Sequence, residues 1–368
     1  IKDREAGKSA ARIIIDGKEY INFSSNDYLG LCNNPYISGA AKKAIDKYGL
    51  GSGASRLLSG GTSLHSELEK EIALFKETEG ALIFNSGYIA NISIIPIIAG
   101  QGDALFSDEL NHASIIDGCR LSRAKKLIYR HKDVQHLSEL LKREDAKRKV
   151  IVTDTVFSMD GDIAPLRDLY DLCKSIHSSC QGSVILYLDD AHGTGVLGEG
   201  KGALSYFGIK PEPWIIQMGT FSKALGSYGA FVAGNRDVIE YIKNSARGFI
   251  FSTALPPCLI GASLEALNII RNDPSLIKRL WLNQEMLING LKRLGFNTSN
   301  SETPIVPVIV DSIEKCLNLS NYLLRHRIYA PAIRPPTVQI PRIRFTVTAN
   351  HKEEDIDRLL NVLSEYKE

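Results

Sequence analysis

The chain has 368 residues, 44% of them apolar and 23% charged, with a formal net charge of +2. That length can bury a large α/β core and a second, smaller unit, and the balanced charge excludes the clustered basic footprint of a nucleic-acid binder. The longest apolar run, Ile92 to Ala99, is broken by Ser93 and Pro96 and is too short to cross a bilayer, so no membrane partner is expected. No basic, apolar leader opens the chain, and it starts at Ile1 rather than Met. We read a cytoplasmic protein that lacks its first residues. Cys32, Cys119, Cys173, Cys180, Cys258 and Cys316 form no CxxC pair and have no His at ligand spacing. They read as reduced thiols, and no metal is expected.

In chain order, a helical pattern over Ser38 to Tyr48 leads into the glycine cluster Gly49, Gly51, Gly53, Gly60 and Gly61. No Gly-Lys-Ser/Thr follows it and no strand precedes it, so it matches neither a Walker loop nor a dinucleotide fingerprint. It reads as a flexible loop at a subunit boundary. An amphipathic helix follows, with Leu64, Leu68, Ile72 and Phe75 on one face. From Gly80 to Gly234 apolar runs alternate with helical patterns. Ala81 to Phe84, Lys149 to Val152, Val184 to Leu188 and Trp214 to Met218 read as strands buried on both faces, and Pro165 to Ile176 reads as a helix. This α/β alternation predicts a mostly parallel sheet, with ligands outside the carboxyl ends of its strands. After about Arg271 the expected order is helix Leu287 to Leu294, strand Ile305 to Val310 and helix Glu314 to Arg325. Strand Ile343 to Val347 and helix Glu353 to Tyr366 complete a smaller α+β domain. The predicted division is an N-terminal segment 1–35, a large domain 36–270 and a small domain 271–368.

Four strand ends carry the chemistry. Asn85-Ser86-Gly87-Tyr88 opens a helix whose backbone N–H groups suit an anion, although many strand-to-helix turns carry Ser and Gly. Asp189 to Gly195 places two acids, His192 and two glycines after an apolar strand. A helix cap or a metal site is the alternative, and a second His for the metal is missing. Thr220-Phe221-Ser222-Lys223 follows the next strand. Lys223 is either a surface lysine in a turn or an amine whose lowered pKa makes it a nucleophile for carbonyls. His112 falls at a further strand-to-helix turn, whereas His131 and His136 read as structural. Together an anion site, an acid and an amine at neighbouring strand ends specify pyridoxal 5′-phosphate. Its phosphate needs donors, its pyridinium nitrogen a carboxylate and its aldehyde an amine.

At these residues the chain resembles the α-oxoamine synthases, the acyl-CoA-dependent branch of the fold-type I pyridoxal-phosphate transferases. The matching motifs are Ser25 to Leu31, Gly51 to Arg56, Asn111 to Ser114, Phe157 to Gly161, Asp189 to Gly195, Thr220 to Lys223 and Phe251 to Pro257. Ala332 to Val338 resembles the 8-amino-7-oxononanoate synthase branch, which serves biotin synthesis. The resemblance implies that Lys223 forms the internal aldimine and Asp189 pairs with the ring nitrogen. It implies that His112 stacks on the ring and His192 reaches its phenolic oxygen. Gly87, Tyr88 and Thr220 would hold the phosphate, and Ser158 would line the ring's side. Ser252 and Thr253 would approach from the partner of a homodimer with shared active sites. Asn26, Arg334 and Thr337 would lie on the substrate side, with Arg334 on the amino-acid carboxylate. Tyr88 stands where the family commonly has Phe. The implied reaction condenses L-alanine with a pimeloyl thioester and releases CO2. Other readings are a synthase joining glycine to acetyl-CoA, a fold-type I aminotransferase, and a non-catalytic synthase subunit, which would lack Lys223.

Overall fold

The computed structural model describes residues 5–7, 9–178 and 183–366, which leaves Cys180 outside the described residues. Fourteen strands are described: β1 (Glu5–Ala6), β2 (Arg12–Ile15), β3 (Lys18–Asn22), β4 (Gly80–Phe84), β5 (Ala104–Asp108), β6 (Lys125–Tyr129), β7 (Arg148–Asp154), β8 (Ser183–Asp189), β9 (Ile215–Thr220), β10 (Ala230–Gly234), β11 (Ile305–Ile309), β12 (Ile328–Tyr329), β13 (Ala332–Ile333) and β14 (Arg342–Thr346). Seven of them form one sheet in the order β4-β10-β9-β8-β7-β5-β6. It is parallel except at β10, which runs against both β9 and β4. This is the mostly parallel sheet that the α/β alternation predicted.

Successive residues of a strand face opposite sides, and the core divides accordingly. Ile83, Phe106, Ile151, Leu186 and Phe231 join one apolar cluster. Leu82, Phe84, Leu105, Val150, Tyr187 and Val232 join the other. Both sheet faces are buried, which is why these strands read as unbroken apolar runs.

Three of the expected strands run further than the sequence suggested: β7 continues to Asp154, β8 to Asp189 and β9 to Thr220, so these residues stand on the sheet rim rather than in a turn. The expected helix Leu287 to Leu294 is only the end of Ser275–Arg293. Leu276 and Leu280 extend its buried stripe, and the buried amide of Gln284 interrupts the apolar pattern there.

The smaller elements bring the chain's ends together. β11-β14-β13 is an antiparallel sheet, and β12 runs parallel to β3 in the sheet β1-β2-β3-β12. The Phe23 carbonyl accepts from the Thr346 N–H (2.8 Å) and the Tyr28 carbonyl from the Ala349 N–H (2.7 Å). These bonds bind residues 23–28 to β14 and its exit. The glycine loop is laced down rather than loose: Ser55 bridges to Thr253, Ala254 N–H donates to the Ala54 carbonyl (2.9 Å), and Ser52 Oγ donates to the Leu255 carbonyl (3.0 Å). No helix among the described residues is long and apolar enough to cross a membrane.

Candidate active site

Because β10 runs against both neighbours, β4, β5, β7, β8 and β9 present their carboxyl ends on one rim. A cavity of about 210 Å³ opens there, lined by Gly87, His112, Asp154, Asp189, His192, Thr220 and Lys223 among others. The structure therefore gathers residues far apart in sequence, as the strand-end reading expected.

One side of the cavity is built for an anion. Ser86 caps the helix Gly87–Ile98, its Oγ accepting from Ile89 N–H at 3.2 Å. The first N–H groups of a helix have no partner within it, so those of Gly87 and Tyr88 are available to a ligand. A Cβ on Gly87 would lie 2.8 Å from Thr220 Cγ2, so only glycine fits this packing. Thr220 Oγ1 is buried with no hydrogen-bond partner. Such an orphan is costly unless a ligand satisfies it.

The opposite side holds the acid and the amine. The Asp189 carboxylate accepts from Asn91 Nδ2 (2.8 Å) and from Ala191 N–H (3.1 Å). Asn91 is fixed in turn by the Tyr187 hydroxyl, which donates to its Oδ1 at 2.8 Å. Burial raises the pKa of Asp189, and Lys223 opposes that shift. Burial lowers the pKa of Lys223, with Asp189 and Asp154 resisting. The amine is thereby brought toward its neutral, nucleophilic form. Burial also lowers the pKa of His112, whose Nδ1 bonds the Ser114 hydroxyl at 2.7 Å. His192 is pushed well below its ordinary value by burial, and its Nδ1 meets the Tyr28 hydroxyl at 2.7 Å. Its other ring nitrogen is left for the cavity.

Two groups escaped the sequence reading. Asp154 pairs across the sheet with Asp189 and accepts the His112 N–H at 2.6 Å. Burial and the Asp189 charge hold it well above the usual carboxylate range. Its signal was its place two residues past the apolar run ending at Val152. Arg344, on β14, is only 7% exposed. Its guanidinium donates to the Ser158 carbonyl and, from both Nη atoms, to Asn26 Oδ1 at 3.2 Å. It also lies beside the Tyr28 hydroxyl, and its charge further lowers the pKa values of Lys223 and His192. Among the described residues no carboxylate pairs with it. A buried cation lacking an anion is unfavourable on its own. The one hint in the sequence was an arginine between Ile343 and Phe345 in an apolar strand.

Of the remaining expected residues only Tyr88 is among those that line the cavity. Ser252 and Thr253 line a separate crevice beside Arg56 and His65, and the Thr253 carbonyl accepts from Asn85 Nδ2 at 3.0 Å. Arg334 and Thr337 are exposed on the turn after β13. Thr337 N–H donates to the Arg334 carbonyl at 3.1 Å. Ser158 is half-buried and meets Arg344 through its backbone, and Asn26 meets the same guanidinium. Tyr88 is 45% exposed and its hydroxyl donates to Asp117. An anion cradle with an orphaned hydroxyl, a buried acid and an amine of lowered pKa within one cavity fit pyridoxal 5′-phosphate.

Comparison with known proteins agrees. The aminotransferase class I and II family model matches residues 18–363. A putative 8-amino-7-oxononanoate synthase of Thermodesulfovibrio yellowstonii is 54% identical over 365 residues, covering 99% of this chain and 92% of that protein. The 8-amino-7-oxononanoate synthase of Thermoanaerobacter pseudethanolicus is 47% identical over 357 residues, covering 96% and 89%. Among solved structures, a serine palmitoyltransferase from S. paucimobilis with a bound PLP–myriocin aldimine superposes with a TM-score of 0.93 at 31% identity, covering 99% of this chain and 91% of that one. The 8-amino-7-oxononanoate synthase of Francisella tularensis gives a TM-score of 0.82 at 29% identity, covering 94% and 97%. The chain thus belongs to the aminotransferase class I and II family and, within it, to the α-oxoamine synthases, acyltransferases that depend on pyridoxal 5′-phosphate.

Proposed function

We propose that this chain joins L-alanine to a pimeloyl thioester, carried on CoA or acyl carrier protein, and releases the thiol and CO2. The product is 8-amino-7-oxononanoate, an intermediate of biotin synthesis, and cytoplasmic location belongs to the same reading. The carrying observation is Arg344, a buried guanidinium that has no carboxylate partner among the described residues and whose charge lowers the pKa of Lys223. A planar fork of this kind binds an amino-acid carboxylate bidentately.

Bound pyridoxal 5′-phosphate supplies the sink for the electron pair left on Cα when a proton or carboxylate departs. Lys223 would hold the cofactor's aldehyde, and its free amine, with a pKa lowered by burial, would take the Cα proton as general base. Asp189 holds the proton on the ring nitrogen. His112 and His192 would hold the ring from the cavity wall, and Ser158 is assigned to its side. Gly87, Tyr88 and Thr220 hold the phosphate.

Asn26 orients Arg344 toward the alanine carboxylate. Arg334 and Thr337, on the exposed turn, are assigned to the substrate side and suit the distal carboxylate of the pimeloyl chain. In this reading residues 36–270 hold the cofactor, and 271–368 with 1–35 build the substrate side. The protein is a homodimer in which Ser252 and Thr253 reach the partner's phosphate. In support, they lie outside their own cavity, where the neighbouring segments expose Phe251 (71%) and Leu58 (80%).

The test is the product mass formed by the holoenzyme from alanine and a panel of acyl thioesters. Glycine with acetyl-CoA, and serine with a long acyl-CoA, are the controls. The latter matters because the serine palmitoyltransferase superposes so well. Turnover of either control, and none of alanine with the pimeloyl thioester, overturns the substrate assignment and leaves the cofactor assignment standing.

A further inference from the structure

His131 lies outside the cavity, and the proposed reaction gives it no part. It follows β6, and both of its ring nitrogens meet carboxylates. Nδ1 is 2.9 Å from Asp108 Oδ1, and Nε2 is 2.9 Å from Asp162 Oδ2. Two acceptors require two N–H donors, which only the imidazolium offers. Asp108 closes β5 on the rigid sheet, whereas Asp162 lies on the turn 157–162. The Phe157 ring stands edge-on to the imidazole, with centroids 4.4 Å apart.

That turn is the platform under two arginines of β14, Arg342 and Arg344. The Ser158 carbonyl accepts from Arg344 Nε, and the Met159 carbonyl accepts from Arg342 Nη1 at 3.2 Å. Asp160 pairs with Arg342. The turn is also held by its own backbone, by residues after the helix Ser275–Arg293 and by the neighbouring Lys132: Phe157 N–H donates to the Asp162 carbonyl (3.0 Å), Thr303 Oγ1 donates to the Gly161 carbonyl (2.8 Å), and Lys132 pairs with Asp162.

We infer that His131, as an imidazolium clamped between Asp108 and Asp162, is a positioning residue that pins the 157–162 turn to the sheet and so fixes the direction of Arg344 toward the amino-acid carboxylate. The inference rests on the role given to Arg344 above. The charged groups around the ring are Asp108, Glu109, Asp162, Glu302 and Lys132. Glu109 accepts the His131 N–H (2.8 Å), and Lys132 Nζ lies 3.1 Å from Asp162 and 3.6 Å from Glu302. Burial disfavours the imidazolium, but the two carboxylates outweigh it and push its pKa up to about 9. A folded value above the ordinary one means the clamp is complete below about pH 6.5 and is lost as pH rises through about 9.

The experiment compares alanine affinity and cofactor content in the wild-type holoenzyme and in His131→Gln, His131→Arg, Asp162→Asn and Arg344→Gln. Glutamine cannot donate to both carboxylates, whereas arginine can and stays charged. His131→Gln and Asp162→Asn should raise the alanine KM about tenfold, the scale of loss from a sub-ångström to ångström misplacement, with kcat and bound cofactor little changed. His131→Arg should restore affinity. It should also remove the alkaline weakening near pH 9 relative to wild type, a comparison in which alanine's own titration cancels. An unchanged KM in His131→Gln and Asp162→Asn, alongside a raised KM in Arg344→Gln, overturns the inference alone. An unchanged KM in Arg344→Gln overturns the carboxylate assignment itself. If His131→Gln does not fold, Asp162→Asn and the alkaline limb of His131→Arg decide the matter in the same way.

Discussion

The two arginines near the proposed substrate site differ in how the fold holds them. Arg334 sits on an exposed turn after a two-residue edge strand. Arg344 is buried in the middle of β14, braced by Asn26 from the chain's beginning and by Ser158 from its centre. Both are charged arginines within eleven residues of each other. Burial makes the difference: a guanidinium removed from water gains much more from a ligand carboxylate than one that already has solvent. An exposed arginine supplies attraction and steering, and a buried one supplies orientation. The same contrast separates the rigid rim of the large sheet, which holds Asp189, Thr220 and Lys223, from the β13–β14 hairpin that faces it.

If the rim carries the chemistry and the hairpin the recognition, rim substitutions should remove turnover and hairpin substitutions should shift affinity. The largest effect is expected for Lys223→Ala, with turnover falling by at least about a thousandfold, since base and covalent anchor go together. Borohydride reduction and peptide mapping should place the cofactor on Lys223 in the wild type, and a cofactor adduct on another lysine would break the rim assignment. Asp189→Asn should come next. An amide cannot stabilise a ring N–H⁺ as a carboxylate does, so exchange of the alanine Cα proton should slow by about a hundredfold while some cofactor stays bound. Near-normal exchange in that variant would mean that another group holds the ring proton.

Arg344→Gln should weaken alanine binding by roughly ten- to a hundredfold, equivalent to about 1.5–3 kcal/mol for a charge-assisted contact. The titration is done spectroscopically without any thioester. Arg334→Gln should leave that titration unchanged and raise the KM of the pimeloyl thioester instead. The reverse pattern would invert the comparison between the buried and the exposed arginine and would place the alanine carboxylate at the turn.

The rim was largely legible in the sequence, and the hairpin was not. A strand followed by Ser-Gly, by an acid or by a lysine is a local signal, because a parallel sheet delivers all its carboxyl ends to one edge. Asp189 and Asp190 look alike in sequence, yet only the fold separates them. Asp190 forms a buried ion pair with Lys76 at 2.8 Å, across 114 positions, while Asp189 faces the cavity. Arg344 was missed for the same reason, since its partners Asn26 and Ser158 are 318 and 186 positions away. Arg334 drew attention because two prolines follow it, a local feature that says nothing about burial. His131 read as a satisfied structural histidine, which describes its bonds but not the turn they hold.

The smallest effect is expected at Tyr88, which sharpens the boundary between backbone and side-chain roles on the rim. Its hydroxyl donates to Asp117, a carboxylate that Arg120 also binds at 3.0 Å, and all three groups are at the surface. The bond lowers the Asp117 pKa, but water and Arg120 replace it when the hydroxyl goes. If Tyr88 serves the phosphate through its N–H at the helix start, Tyr88→Phe keeps both that donor and the ring. Cofactor affinity, read by reconstituting the apoenzyme and following absorbance, should then change by less than about threefold. Tyr88→Ala keeps the N–H but removes the ring, so its excess loss measures what the ring adds. A drop of tenfold or more in Tyr88→Phe would show that the hydroxyl and Asp117 order the helix start. The phosphate cradle would then depend on a surface side-chain network rather than on the backbone of residues 86–88.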